Sequence, residues 1–191
     1  MPNHETNNVV IIGKPENIQR FVAEAFIHPG QPFPRDPEGL VNDKDFPLID
    51  FELIVPPPPN IETGGCNGQH EEGVVCWYTW NLENWGTKWG AYSQDHFAVR
   101  YFDSGNEVEG VYGRVDLRFD TAWSQPTPIF EAIQTRWDLV VHAVTQDEGG
   151  FPDTEFGNPY DEEVIRKVTT FEFDSYDREV EAPEAVSTNG L

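Results

Sequence analysis

Apolar positions in the first third of the chain follow a strand–helix–strand pattern. The β-branched run at 8–12 predicts a buried strand that ends at Gly13. Pro15 suits a first helical position, and an apolar stripe at helical spacing follows it. The stripe consists of Ile18, Phe21, Val22, Ala25 and Phe26. Residues 48–55 alternate well enough to predict a second strand, which Pro56–Pro59 would end.

The same order recurs in the second half of the chain. Residues 96–102 predict a strand or hairpin arm, and the alternating segment 113–119 predicts a half-buried strand. Two prolines at 126 and 128 then open a predicted helix, and 139–144 predict the closing strand. The apolar stripe of that helix is formed by Ile129, Ile133 and Trp137.

Two β-α-β patterns in succession favour an α+β domain. The expected arrangement is a ferredoxin-like split β-α-β sheet with two helices on one face, an aromatic-rich insertion and an acidic C-terminal extension. The predicted organisation is a domain at 1–144, an acidic extension at 145–173 with a further edge strand near 164–173, and a mobile acidic tail at 174–191. Within the domain, a proline-rich loop is expected at 28–47, and a loop with a Trp-rich segment at 56–95.

Four of the six tryptophans lie in the short segment CWYTWNLENWGTKWGAY, residues 76–92. Their spacings of three and four residues are typical of one helix face, so we expect a mainly structural, mostly buried aromatic cluster. The predicted members are Trp77, Trp80, Trp85, Trp89 and Trp123. Polar residues between the rings leave open a stacking surface for bases or sugars, although only Lys88 and Arg100 lie nearby to supply a basic groove.

The charge balance is strongly acidic. Thirty-four acidic residues face twelve basic ones, which gives a net charge of −22. Direct nucleic-acid binding is disfavoured, because it depends on lysine and arginine displacing counterions from phosphates. Three interpretations of the acidity stay open: solubility or adaptation to high salt, attraction to a basic partner surface, and imitation of nucleic-acid phosphates by carboxylates.

Residues with catalytic or metal-binding chemistry are few. Cys66, His70 and Cys76, with His4 or His96 as further ligands, have the right donor types for zinc but match no common spacing. A Cys66–Cys76 disulfide would need an oxidising compartment, for which the sequence gives no other support. Asp116 and Asp120 are a carboxylate pair of the kind that arises by chance in so acidic a chain. No catalytic residue, metal ligand or cofactor is therefore assigned, and the protein is predicted not to be an enzyme.

Three separated motifs resemble one known family. The opening MPNHETN before an apolar strand, the central WYTWNLENWGTKWGAY and the later FDTAWSQPTPIFEAI together resemble the YubB-type ferredoxin-like family of phages, plasmids and genomic islands. The resemblance covers residues 1 to about 142. It implies a ferredoxin-like fold and an origin on a mobile element, but no reaction.

These observations favour a non-catalytic mobile-element protein. It would bind and block a basic or nucleic-acid-binding host or defence protein, with nucleic-acid mimicry as one form of that activity. The alternative is an accessory or structural phage or plasmid protein whose acidity reflects its solvent. The expected partner is a basic protein surface rather than nucleic acid or membrane. The expected location is the host cytoplasm, because no run of about 18 apolar residues and no leader pattern occurs.

Overall fold

The computed structural model describes residues 3–34, 38–64, 73–103, 111–157 and 178–180. Within those residues the chain forms ten strands and four helices. In chain order they are β1 (His4–Gly13), α1 (Pro15–Glu24), β2 (Phe26–Ile27), β3 (Leu48–Ile49), α2 (Phe51–Ile54), β4 (Ile61–Glu62), β5 (Val75–Cys76), α3 (Trp77–Asn84), β6 (Tyr92–Asp103), β7 (Val111–Ala122), α4 (Thr127–Trp137), β8 (Val140–Asp147), β9 (Thr154–Phe156) and β10 (Arg178–Val180).

Six of these strands form one sheet in the order β10-β6-β7-β1-β8-β9, and all neighbours are antiparallel. The long central pair β1–β7 runs in register from His4 opposite Ala122 to Gly13 opposite Gly113. Two small sheets lie outside it: β2 with β3 is antiparallel, and β4 with β5 is parallel. The predicted α+β class is confirmed as a mostly antiparallel sheet combined with helices.

The two long helices begin and end as their sequences dictate. Pro15 opens α1, and Glu16 in its first turn complements the helix dipole. A proline likewise opens α4, which ends at Asp138 in the left-handed conformation, φ 51°. Gly113 on β7 lets α1 approach closely, since a Cβ there would lie 2.8 Å from Ile18 Cγ1.

Both helices and one side of the central strands share a single core. Alternate residues along β1, β7 and β8 are buried in it: Val9, Ile11, Val115, Leu117, Phe119, Val141 and Ala143. The helices contact each other where the Phe21 and Trp137 rings meet edge to face, 5.2 Å between centroids. The predicted core residues Ile18, Ile129 and Ile133 are fully buried, whereas Val22 is partly buried.

The predicted strand at 48–55 is wrong. Only Leu48–Ile49 forms a strand, and it pairs with β2 rather than with the main sheet. The chain then turns into α2, because the side chain of Asp50 accepts the backbone N–H of Glu52 at 2.8 Å and caps the helix. The main sheet instead contains β6, which pairs with β7 and is longer at both ends than the strand predicted at 96–102. The strands predicted at 113–119 and 139–144 are confirmed within β7 and, from Val140, β8.

The C-terminal region contributes one short strand to the main sheet. Arg178–Val180, inside the segment expected to be a mobile tail, forms β10 and pairs with β6 opposite Tyr101–Asp103. The edge strand predicted near 164–173 and the rest of the tail lie outside the described residues. None of the helices in the described part of the chain has the length and apolar character needed to span a bilayer.

Candidate functional site

The predicted tryptophan cluster divides into buried and exposed members. Trp85 is 5% exposed, and its indole N–H donates to the Val55 carbonyl at 2.9 Å. Trp77 and Trp80 are partly buried. Trp89 and Trp123, by contrast, are 38% and 41% exposed. The expected burial is therefore wrong for Trp89, and Trp123, predicted as a structural member of the cluster, also reaches solvent.

Exposed and partly buried rings form a continuous aromatic surface. Its members, in order of contact, are Trp77, Tyr78, Trp123, Lys88, Trp89, Tyr92 and His4. On each side of Lys88, neighbouring rings meet edge to face, with centroids 5.7 to 6.2 Å apart. Such contacts fix the rings relative to one another, because the positive edge of one ring faces the negative face of the next.

Lys88 joins the two halves of the aromatic surface. Its ammonium nitrogen lies 4.7 Å from the ring centroid of Trp89 and 4.7 Å from that of Trp123. Both distances are within the range of cation–π attraction. Among the described residues Lys88 has no carboxylate partner within ion-pair distance, so the two indole rings are its principal electrostatic contact.

The backbone that carries Lys88 and Trp89 is tied down on both sides. Asn81 of α3 donates its amide to the Lys88 carbonyl at 2.9 Å, and the buried Thr87 hydroxyl donates to the Trp89 carbonyl at 2.6 Å. The Lys88 N–H donates to the Ala122 carbonyl of β7 at 3.3 Å. This segment therefore has a defined position although its side chains reach solvent.

Trp123 sits in a strained backbone conformation. Its φ is +80°, a region that a bulky residue rarely adopts and that costs about 1–3 kcal/mol. Hydrogen bonds on both sides hold it there: the Thr121 hydroxyl donates to the Ser124 carbonyl at 2.8 Å, and the Ser124 hydroxyl donates to the Gly86 carbonyl at 2.5 Å. The Trp123 N–H also donates to the Asn3 carbonyl. The turn thus presents the indole ring outward against a local energetic cost.

A buried polar network fixes this turn to the sheet. The Asn7 amide donates to Thr121 Oγ1 at 2.9 Å and accepts from the Thr145 hydroxyl at 2.8 Å, while Gln125 donates to Thr145 at 2.8 Å. All four side chains are at least nine-tenths buried. Because a buried polar group without a partner is costly, this network is specific to one arrangement of the turn.

Four carboxyl groups adjoin the aromatic surface and are termed the carboxyl cluster: Glu5, Asp120, Asp147 and Glu148. Glu5 lies directly opposite Asp147 in the β1–β8 ladder. Burial, a hydrogen bond with the Asp147 carboxyl and the charges of Asp147 and Glu148 raise the pKa of Glu5 to about 7. Two opposed carboxyl groups can form that hydrogen bond only when one of them carries a proton.

Tyr92 connects the carboxyl cluster to the aromatic surface. Its hydroxyl donates to the Thr121 carbonyl at 3.0 Å and lies 2.7 Å from His4 Nδ1. Burial and the charges of Asp120, Glu148 and Glu5 raise the Tyr92 pKa above its usual value. The field of the carboxylates therefore reaches the edge of the aromatic surface, where it favours cations over anions.

Two open grooves border this region. One, of about 650 Å³, is lined by Phe33, Pro34, Glu38, Glu52, Pro57, Ile61, Thr63, Trp77, Asn81, Trp85, Trp89 and Gly90. The other, of about 540 Å³, shares Phe33 and Gly90 with the first groove and extends to Asp50. Burial raises the pKa of the Asp50 carboxyl above its usual value. An extended chain segment could therefore lie beside the aromatic surface without rearrangement of the backbone.

The predicted carboxylate pair Asp116 and Asp120 does not form an acid–base site. Asp116 contacts Arg100 at 2.6 Å and Arg114 at 2.5 Å. Burial alone would raise the Asp116 pKa, but the hydrogen bonds and charges of the two guanidinium groups outweigh it and lower the pKa below its usual value. Asp120 accepts the Thr6 hydroxyl at 2.9 Å. Both carboxylates thus have structural partners.

The structure argues against the zinc hypothesis at Cys76. This residue is buried and disulfide-bonded, and a disulfide sulfur is not the thiolate that a metal requires. Cys66, the chain's other cysteine, and His70 lie outside the described residues. No group of three or more metal-binding side chains occurs in the described ranges. Because disulfides persist mainly in oxidising compartments, the predicted cytoplasmic location gains no support and stays a prediction.

One signal in the sequence did point to the exposed rings. The polar and flexible residues between the second tryptophan pair, from Gly86 to Lys88, are unsuited to a continuous buried stripe. Gly86 has φ +76°, and a Cβ there would lie 2.8 Å from the Pro128 Cδ, so the chain turns sharply after Trp85. The carboxyl cluster gives no such signal, since Glu5, Asp120 and the adjacent pair Asp147 and Glu148 lie in three distant parts of the sequence and meet only through sheet register.

Comparison with known proteins gives no relative for this chain. No protein-family model matches the sequence, and no curated protein and no solved structure is detectably similar to it. The resemblance to the YubB-type family therefore stays a prediction.

Proposed function

We propose that this protein is a binding protein whose aromatic surface docks onto a basic surface of a host or defence protein and thereby blocks it. The single observation that carries the proposal is the pair of exposed tryptophans, Trp89 and Trp123, with a cation between them. Rigid, exposed tryptophans are typical of the residues that dominate protein–protein binding energy.

The surroundings of the pair support a cationic partner. The carboxyl cluster lies next to Tyr92 and His4, and the whole chain has a net charge of −22. A basic partner would be steered toward this field, and the tryptophan rings would then supply short-range contacts. Nucleic-acid mimicry is a narrower version of the proposal. In that version carboxylates would imitate a row of nucleic-acid phosphates, and they alone would carry the binding.

The ferredoxin-like arrangement and the mobile-element origin belong to the same proposal. The strand order β6-β7-β1-β8, with α1 after β1 and α4 between β7 and β8, supports the ferredoxin-like arrangement. Under this interpretation the segment between β2 and β6, which contains the tryptophans Trp77 to Trp89, is an insertion. Its function is to present the aromatic surface at one end of the sheet.

Affinity capture with matched variants tests the proposal. The immobilised full chain is exposed to a bacterial lysate at low salt, beside a Trp89→Ala/Trp123→Ala double variant and a Leu40→Ala control. Leu40 is 56% exposed but lies in the proline-rich loop, so it controls for loss of exposed apolar area. We expect a basic protein bound by wild type and control, with at least about 30-fold weaker binding to the double variant.

Salt and DNA distinguish the forms of the proposal. Binding that rests on the carboxylates should weaken as salt rises, because exposed charges are screened beyond about 8 Å at physiological ionic strength. Competition by DNA would identify the captured protein as a nucleic-acid-binding protein. If no protein distinguishes wild type from the double variant, the proposal is wrong and the accessory or structural role becomes the better explanation.

A further inference from the structure

The cleft between Trp89 and Trp123 is already occupied by a cation of the chain itself. The Lys88 ammonium lies 4.7 Å from each ring, and both rings remain exposed at 38% and 41%. Tyr78 meets the edge of Trp123, and Tyr92 meets the edge of Trp89. Two indole rings thus flank one ammonium group, and a tyrosine packs against each indole. Indole faces turned toward a cation are the feature by which aromatic sites recognise alkylammonium ligands.

We propose that this cleft recognises the alkylammonium group of a ligand, and that Lys88 is a built-in occupant which the ligand displaces. This inference rests on the proposed function for the biological partner, whose basic surface would supply the ammonium as a lysine or methylated-lysine side chain. It adds the chemical group that is bound and the residue that limits access to it.

The two tryptophans that line the cleft are held in place by contacts that do not involve the Lys88 side chain. Trp123 is held in its left-handed conformation by the turn from Thr121 to Ser124, and Trp89 is positioned by Thr87. The lysine backbone is fixed by Asn81 and Ala122. Truncation of the lysine side chain should therefore empty the cleft without collapsing it.

Competition between Lys88 and a ligand follows from this geometry. Each ring contact of an exposed ammonium contributes a modest cation–π attraction, so removal of the internal cation should strengthen ligand binding by roughly tenfold. A ligand in which the ammonium is methylated sheds water more easily than a primary ammonium and should bind better. The nearby carboxyl cluster disfavours anionic ligands at the same position.

Titration with tetramethylammonium chloride tests the inference without knowledge of the partner. Tryptophan indole N–H resonances are followed by NMR in the full chain, with sodium chloride as the matched salt. Wild type is compared with Lys88→Ala, and with Lys88→Arg, in which a cation remains in the cleft. We expect Lys88→Ala to bind roughly tenfold more tightly than both others, and addition of Trp89→Ala to abolish binding.

Two further titrations identify the group that is bound. A neutral isostere, 3,3-dimethyl-1-butanol, should bind Lys88→Ala much more weakly than tetramethylammonium if charge matters. Short peptides carrying lysine or trimethyllysine then distinguish the two protein sources of an alkylammonium group. Preference for trimethyllysine supports a methylated ligand, and equal binding supports an unmodified lysine.

Equal affinity of wild type and Lys88→Ala, or binding that survives loss of Trp89, would overturn the inference. That result would leave the proposed function intact if Trp89→Ala/Trp123→Ala still abolished protein capture. Conversely, cation binding by Lys88→Ala without any captured protein would support the cleft and contradict the proposed partner.

Discussion

Trp85 and Trp89 are four residues apart in one short segment, yet they occupy opposite environments. The Trp85 ring meets Trp80 at 5.4 Å and Phe51 at 5.9 Å, and it belongs to the core beneath α1 and α4. The Trp89 ring has solvent on one side and a lysine on the other. Ring contacts are edge to face in both places, so ring geometry alone does not separate structural from functional tryptophans.

What separates the two regions is how each polar group is satisfied. At the edge of the core, the buried Trp137 donates its indole N–H to Glu24 at 3.0 Å. The solvent-exposed Arg136 lies 4.3 Å from the centroid of the same ring and is itself ion-paired with Glu24. The Arg136 guanidinium therefore has both a carboxylate and an aromatic ring of the protein as fixed partners. At the aromatic surface, Lys88 has no such carboxylate within the described residues, and its rings face outward. An ammonium whose only partners in the described part of the chain are two rings can be exchanged for another.

The largest expected effect lies in the buried region. Trp85→Ala should lower the free energy of unfolding by about 3–5 kcal/mol, because it removes a large buried aromatic ring and leaves the Val55 carbonyl without its indole partner. Urea unfolding followed by far-ultraviolet circular dichroism measures the loss. Trp85→Phe is the matched control and should recover part of it. A variant that unfolds like wild type would place Trp85 with the exposed tryptophans.

The fold could be predicted where the spacing of apolar residues matches the buried face of a helix or strand. It could not be predicted where a single side chain decides that the chain turns. The alternating segment 113–119 and the stripe at Ile129, Ile133 and Trp137 predicted elements that the structure confirms. Residues 48–55 look equally extended in sequence, but the chain is capped at Asp50 and forms the helix turn Phe51–Ile54. Cross-strand register, which opposes Glu5 and Asp147, is a property of the assembled sheet and has no local signal.

A smaller effect, confined to the carboxyl cluster, should depend on pH. The pKa of Glu5 is raised from its ordinary 4.5 to about 7, so the folded protein holds this proton more tightly than the unfolded chain. The stabilising contribution is complete below pH 4.5 and is lost as the pH rises through 7. Glu5→Gln keeps a neutral group opposite Asp147 and should stabilise the protein at pH 8 by about 0.2–1 kcal/mol, the range for opposed like charges on neighbouring strands.

Urea unfolding at pH 5 and pH 8 checks this sign. At pH 5, where Glu5 is mostly protonated, wild type and Glu5→Gln should differ little; at pH 8 the variant should be the more stable. Glu131→Gln, an exposed change on α4, controls for the loss of one negative charge from a strongly acidic chain. An equal gain at both pH values, or the same gain in the control, would show that net charge and not the Glu5–Asp147 contact is responsible.

A small effect on stability, far below that of Trp85→Ala, is expected at Trp89 itself. Trp89→Ala removes one edge contact with Tyr92 and one cation–π contact with Lys88, the latter contributing about 0.5–1 kcal/mol at an exposed site. The side chain is 38% exposed, whereas that of Trp85 is 5% exposed, so its loss opens no enclosed cavity and returns less covered area to water. The unfolding free energy, measured in urea beside Trp85→Ala, should therefore fall by no more than about 1 kcal/mol. A loss as large as that of Trp85→Ala would show that the aromatic surface is an extension of the core, and its exposed rings would then need no ligand to explain them.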